Sequence, residues 1–232
     1  MLEYLGANIK YNKNEVTVFP SELLARDIEI VGDISSAAFF MVMGAIVPNS
    51  SILIKNVGIN PTRDGIIEVF KQSEIDFEIL NEKYVSNELC ADIKVNYTPN
   101  IKPFEIKGDI IPRLIDEIPI LAILATQAQG QSTVSNAQDL RNKESDRIKT
   151  IVDALLSLDV DIKEKEDGFI INGKKEFDKE VELETHLDHR LAMSYFVMSL
   201  INKKPMKIKG FDCINTSFPE FLDLAKQIGY GE

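Results

Sequence analysis

The chain of 232 residues is 44% hydrophobic and 27% charged. That is the balance of an ordinary soluble globular protein, and the length allows one large domain or one domain plus a piece of another. The formal net charge of −11 argues against nucleic acid and against an acidic membrane surface as partners, and it makes any local basic cluster more informative. Cys90 and Cys213 lack metal-ligand spacing, and His186 and His189 have no third ligand beside them, so a reduced, cytoplasmic protein without a structural zinc is expected. Residues 1–5 are not a signal peptide, and the longest apolar runs, such as 37–47, fall short of the roughly 20 residues of a membrane span.

Taken in order, the chain opens abruptly. Residues 1–10 have the shape of 154–163, where a helix ends and a strand begins, and residues 15–19 match 168–171. The opening thus reads as the tail of a helix followed by a hairpin, closing a unit whose front is missing. Residues 20–27 read as a boundary.

Three similar segments follow. Residues 28–33, 104–109 and 181–188 each predict a short strand containing or ending in Asp. They lead into 34–46, 115–126 and 189–201, helices apolar almost all round. Helices of that kind are buried on every side, so 37–46, 120–126 and 191–200 must be covered by sheets. Each is followed by a β-rich run (51–57, 132–137, 205–211) and an amphipathic helix (62–72, 143–158, 218–228). The first two units continue into hairpins, 76–80 with 91–95 and 160–164 with 168–171, the second turning at Glu166-Asp167-Gly168. The third has no hairpin, and the chain stops at Gly229-Tyr230-Gly231-Glu232. Repetition at a fixed spacing is the primary architectural signal, and it points to a fragment of a longer repeat protein.

The residues with chemistry lie at helix starts. Lys143-Glu144-Ser145-Asp146-Arg147 precedes Ile148, Ile151, Val152, Leu155, Leu156 and Leu158, a periodic helical face. Lys143, Glu144 and Arg147 are spaced to share one side of the first turn. Cations there oppose the helix dipole, which suits an anion-binding role; the alternative is a solvated helix start with an internal Glu–Arg pair. Asp116 stands at the mouth of the second buried helix, as a tuned base or as a helix cap, with Pro119 marking the start. Asp188 reads as a cap and is followed by Arg190. Arg63, Arg113, Arg147 and Arg190 all lie at or before helix starts, either clustered on one rim around a carboxylate or phosphate or as unrelated surface arginines. Ser35-Ser36 suits close helix packing. No Ser–His–Asp set, P-loop or dinucleotide fingerprint occurs.

Five stretches carry a family resemblance: Gly-Asp-Ile-Ser-Ser-Ala-Ala-Phe-Phe (32–40), Asn-Pro-Thr-Arg-Asp-Gly (60–65), Pro-Arg-Leu-Ile-Asp-Glu-Ile-Pro-Ile-Leu-Ala (112–122), Lys-Glu-Ser-Asp-Arg (143–147) and Asp-His-Arg-Leu-Ala-Met (188–193). In that order they resemble the 5-enolpyruvylshikimate-3-phosphate synthases. The resemblance implies an α/β (α+β) fold of repeated βαβαββ units, with sheets outside and buried helices inside. Residues 1–25 would be the last hairpin of an N-terminal domain, and 26–232 a C-terminal domain of three units. It implies transfer of the enolpyruvyl group of phosphoenolpyruvate to the 5-hydroxyl of shikimate 3-phosphate, with release of phosphate, in the pathway to chorismate and aromatic amino acids. No metal or organic cofactor is implied, and the full-length protein is expected to be a monomer. Asp116 falls on the base for the 5-hydroxyl and shares contact with shikimate 3-phosphate with Lys143. Glu144 falls on the residue that handles the methylene proton, and Arg147 and Arg190 on the arginines that hold phosphoenolpyruvate. Thr216 stands where many members carry a lysine, so that contact is not carried over. The remaining partner implied is the N-terminal domain, without which the chain alone should be inactive. The alternatives are a UDP-amino-sugar enolpyruvyl transferase, against which Lys-Glu-Ser-Asp-Arg argues, and a non-catalytic half that binds small anions.

Overall fold

The computed structural model describes residues 1–12, 15–173 and 176–230. An N-terminal hairpin of β1 (Asn8–Tyr11) and β2 (Val16–Phe19) pairs antiparallel and is largely exposed. The first unit contains α1 (Ile34–Ile46), β3 (Ser51–Gly58), α2 (Gly65–Gln72), β4 (Phe77–Val85) and β5 (Glu88–Asn96). The second contains β6 (Glu105–Ile106), α3 (Ile118–Gln127), β7 (Gln131–Val134), α4 (Arg147–Ser157), β8 (Asp161–Lys165) and β9 (Gly168–Asn172). The third contains β10 (Val181–Glu184), α5 (His189–Ser199), β11 (Met206–Lys209) and α6 (Phe221–Gln227).

The sheets repeat one plan. The second unit gives the order β6-β7-β9-β8, with the first pair parallel and the others antiparallel. The first gives β3-β5-β4, extended only by a parallel bridge from Gly32 to Val57. The strand expected at 28–33 is therefore a single bridge. Val57 faces Gly32 there, just past a register shift in the pairing of β3 with β5 between Ile54 and Val57. In the third unit β10 and β11 pair parallel, and no hairpin joins them among the described residues. Gly231 and Glu232, the end of the stretch where a hairpin was expected to begin, lie outside the described residues.

The repeat shows again in how helices stop. α2, α4 and α6 each end with a left-handed residue, Glu74, Asp159 and Gly229. In each case the next amide donates five residues back, Ile75 to Phe70, Val160 to Leu155 and Tyr230 to Ala225. That is the Schellman closure, which satisfies carbonyls a helix end leaves bare. The same closure occurs at Gly6, where Ala7 N donates to Leu2 O at 3.0 Å. The expected helix tail at 1–10 is thus one turn, capped like the other three, and it runs directly into β1.

α1, α3 and α5 pack together at the centre. All of α1 except Ser36 is buried, and all of α3 except Gln127. α5 is buried from Leu191 to Val197 apart from Phe196, and again at Met198. Fully burying side chains such as Phe39, Met41 or Met43 contributes roughly 1.5–3 kcal/mol each. Gly44 lets α1 approach β5, since a Cβ there would sit 3.2 Å from Val95 O. Phe221 ties α6 to the centre by ring contacts with Phe39, Phe40, Phe196 and Phe218. No helix among the described residues is long and apolar enough to cross a membrane.

Candidate active site

The starts of α1, α3, α4 and α5 face one region. Asp33 caps α1 and Asp188 caps α5 through their side chains. Asp146 caps α4, accepting from Lys149 N at 2.9 Å. Because Asp146 takes the cap, α4 begins at Arg147. Lys143 and Glu144 therefore lie in the preceding loop, where the spacing had placed them in the first turn.

Asp116 is the hub. It precedes α3 by two residues and caps nothing, since Glu117 occupies the cap position and makes no side-chain cap bond. That removes the capping alternative. Asp116 Oδ1 lies 3.3 Å from Lys143 Nζ and accepts from Arg147 Nη1 at 3.2 Å. Its Oδ2 lies 3.7 Å from Arg190 Nη2, and its backbone carbonyl accepts from Arg190 Nη1 at 3.4 Å. With a third of its side chain exposed, partial burial works to raise its pKa. The charges of Arg190, Lys143 and Arg147 outweigh that and hold it below the ordinary value.

Arg147 is 1% exposed, and Asp188 beside it is 0% exposed. Its Nε donates to Asp188 Oδ2 at 2.8 Å, and Nη2 reaches Asp188 Oδ1 at 3.3 Å and Glu144 Oε2 at 2.6 Å. Burial works against the guanidinium charge, and the surrounding carboxylates more than restore it. Asp188 also accepts from Ser145 Oγ and from the amides of Arg190 and Leu191. Sequence reasoning saw only a cap there. A cap explains an Asp at a helix start so fully that nothing in the sequence asked for a second role.

The structure thus brings Asp116, Lys143, Glu144, Arg147 and Arg190 together. Three cations face three carboxylates once Asp188 is counted, and Arg147 and Arg190 share one anion, Asp116. Of the four arginines at helix starts only these two converge. Arg63 turns to Ser35 Oγ at 2.7 Å and Asp33 at 3.2 Å, and Arg113 to Asp64 and Glu68. Ser35, whose small hydroxyl side chain could touch a ligand or allow close packing, with packing the favoured reading, is a buried polar contact. Thr216 is exposed, and its hydroxyl donates to Cys213 O at 2.7 Å. Among the described residues no group of His, Cys, Asp or Glu is placed to hold a metal ion. Chemically, the arrangement offers a partly exposed carboxylate base, a second carboxylate within reach, and guanidinium forks suited to a carboxylate or phosphate.

The family model for EPSP synthase (3-phosphoshikimate 1-carboxyvinyltransferase) matches residues 1–224. The 3-phosphoshikimate 1-carboxyvinyltransferase of Petrotoga mobilis is 46% identical over 230 residues, covering 98% of this chain and 53% of that protein. That of Staphylococcus haemolyticus is 45% identical over 225 residues, covering 96% and 52%. The chain spans about half the length of the curated relatives it matches. A solved EPSP synthase from Acinetobacter baumannii superposes with a TM-score of 0.93 at 38% identity, over 98% of this chain and 53% of that one. The enolpyruvyl transferase NikO from Streptomyces tendae shares the fold alone, with a TM-score of 0.73 at 14% identity over 98% and 51% of the two chains. With its ordered motifs, its repeated units and a family match along nearly its whole length, the chain belongs to the EPSP synthase family.

Proposed function

We propose that this chain supplies half of the active site of an enzyme that moves the enolpyruvyl group of phosphoenolpyruvate to the 5-hydroxyl of shikimate 3-phosphate, releasing phosphate. The convergence of Lys143, Arg147 and Arg190 on Asp116 supports it. In this reading Asp116, kept ionised by those cations, accepts the proton of the hydroxyl. Glu144 delivers a proton to the methylene carbon of phosphoenolpyruvate. The hydroxyl oxygen then bonds to the cationic carbon, giving a tetrahedral intermediate. The intermediate then returns a methyl proton to Glu144, and the proton held by Asp116 leaves with the phosphate, so both carboxylates end as they began. Arg147 and Arg190 hold the carboxylate and phosphate of phosphoenolpyruvate, and Lys143 the shikimate 3-phosphate. An anion that takes Glu144's place on Arg147 frees Glu144 to carry its proton.

Both substrates must be fixed at reacting distance, and positioning of that kind supplies roughly 7–11 kcal/mol. The rest of the length seen in the relatives is the natural source of the opposite wall and of closure against water. The test is release of phosphate from both substrates. The chain alone should show no turnover, and activity should appear when the half matching the remainder of its relatives is added. Full turnover by the chain alone would refute the reading, as would inactivity of the assembled halves.

A further inference from the structure

Glu117, next to Asp116, is used by nothing described so far. It is 3% exposed, and its Oε1 is buried without a hydrogen-bond partner. The neighbouring carboxylates have different surroundings. Asp116 has three cations on it, whereas Glu117 shares a cleft with Ser35, on the first turn of α1. Ser35 Oγ in turn accepts from Arg63 Nη2 at 2.7 Å. A line of cleft-lining side chains therefore runs from Arg63 and α1 in the first unit, through Ser35, to the residue beside Asp116 in the second. Ser35, Arg63, Arg113, Asp116 and Glu117 line one cleft of ≈ 180 Å³. Gly65 allows the same approach, since a Cβ there would lie 2.8 Å from Leu114.

We propose that Glu117 is a positioning residue for Asp116: a buried acid, keyed to the first repeat through Ser35 and Arg63, that fixes the backbone presenting Asp116 and leaves all three cations to it. A carboxylate with one oxygen out of water and no donor on it is costly, so the acid form is the one this pocket suits. Burial raises the titration of Glu117, with Asp116 adding to the rise and Ser35, Arg190 and Arg63 opposing it. The remaining charged group of the cleft, Arg113, is spent on Asp64 and Glu68. Two adjacent carboxyls pushed in opposite directions are the pattern by which sites separate an acid from a base. The functional meaning rests on Asp116 being the base.

The test is a carbon-13 carboxyl NMR titration of this chain, without substrates, in the wild type and in Glu117→Gln, Glu117→Ala and Ser35→Ala. Glu117 should titrate above the ordinary glutamate value of 4.5, raised by its burial. Glu117→Gln, which keeps shape and hydrogen bonding, should leave the midpoint of Asp116 unmoved. Glu117→Ala should raise that midpoint toward the ordinary aspartate value as the loop loses its anchor. Ser35→Ala, a smaller change, should move it the same way even if Glu117→Ala does not fold. Glu117 titrating at or below the ordinary glutamate range would overturn the proposal, and so would an Asp116 midpoint indifferent to Ser35→Ala. Failure here leaves the role of Asp116 to be judged separately, by turnover of Asp116→Asn in the assembled enzyme.

Discussion

Replacing Arg147 by methionine keeps much of the volume and removes the charge. Asp188 would then be a carboxylate with no exposed surface and no counter-charge, a situation that typically costs about 3–5 kcal/mol. Three donors stay with it, the hydroxyl of Ser145 and the amides of Arg190 and Leu191. They place the expected loss at the lower end, about 3 kcal/mol. Asp116 and Glu144 also lose a partner, but both reach solvent and add little. Asp188→Asn keeps a capping side chain and leaves Arg147 with two carboxylates, for a loss of about 1–3 kcal/mol. Combining the two substitutions removes the pair together, so the double variant should lose less than the sum, by at least about 1 kcal/mol. Urea unfolding at pH 7, followed by circular dichroism, measures all three. A loss below about 1 kcal/mol for Arg147→Met, or strict additivity, would show that Arg147 does not hold this centre together.

In an enzyme assembled to the length of its relatives, Asp116→Asn should lower kcat by about 10²–10⁴-fold in protein that still folds; near-normal kcat would remove Asp116 as the base. The depressed pKa of Asp116 predicts a stabilising contribution that is whole above its ordinary value of 3.8 and lost as pH falls through its lower folded value. The raised pKa of Glu117 has the opposite sign. Its contribution is whole below the ordinary value of 4.5 and lost as pH rises through the folded one. Urea midpoints from pH 3 to 8 should therefore fall less on the alkaline side in Glu117→Gln than in the wild type. Phe221→Ala should cost about 3–5 kcal/mol, because the ring is fully buried among four others; a calorimetric transition close to the wild type would contradict that packing.

The architecture was legible because it is written in period. The all-apolar faces of 37–46 and 120–126 admit no exposed side, and both helices are buried as expected. The strand at 28–33 misled because its β-branched residues say nothing about a neighbour, and the only β-pairing the segment finds among the described residues is the Gly32–Val57 bridge. Spacing also put Lys143 and Glu144 on a helix. Asp146 is the stronger capping residue, and it shortened the helix to leave them in a loop. The convergence on Asp116 was partly legible, since cations at helix starts run against the dipole and call for a reason. Which arginines converge depends on competing carboxylates, and Asp64 and Glu68 withdraw Arg113 from a distance no sequence pattern reports. Glu117 was invisible for a related reason: its distinguishing property is a missing partner.

Because each cation around Asp116 is already paired within the protein, an anionic ligand enters by exchange. Each contact it takes on Arg147 from Asp116 or Glu144 is one that carboxylate gives up, and the displaced carboxylate must turn to water or take a proton. Discrimination then lies in how well the ligand's oxygens replace those of the carboxylates, not in a reservoir of free positive charge. The chain as a whole carries −11, so anions are repelled at long range. Added salt screens that repulsion over about 10 Å at 0.1 M and so speeds their arrival. The exchange itself happens at contact distance around the buried Arg147 and feels little of that screening. Such a site gains ligand faster as salt rises, the reverse of a basic anion trap.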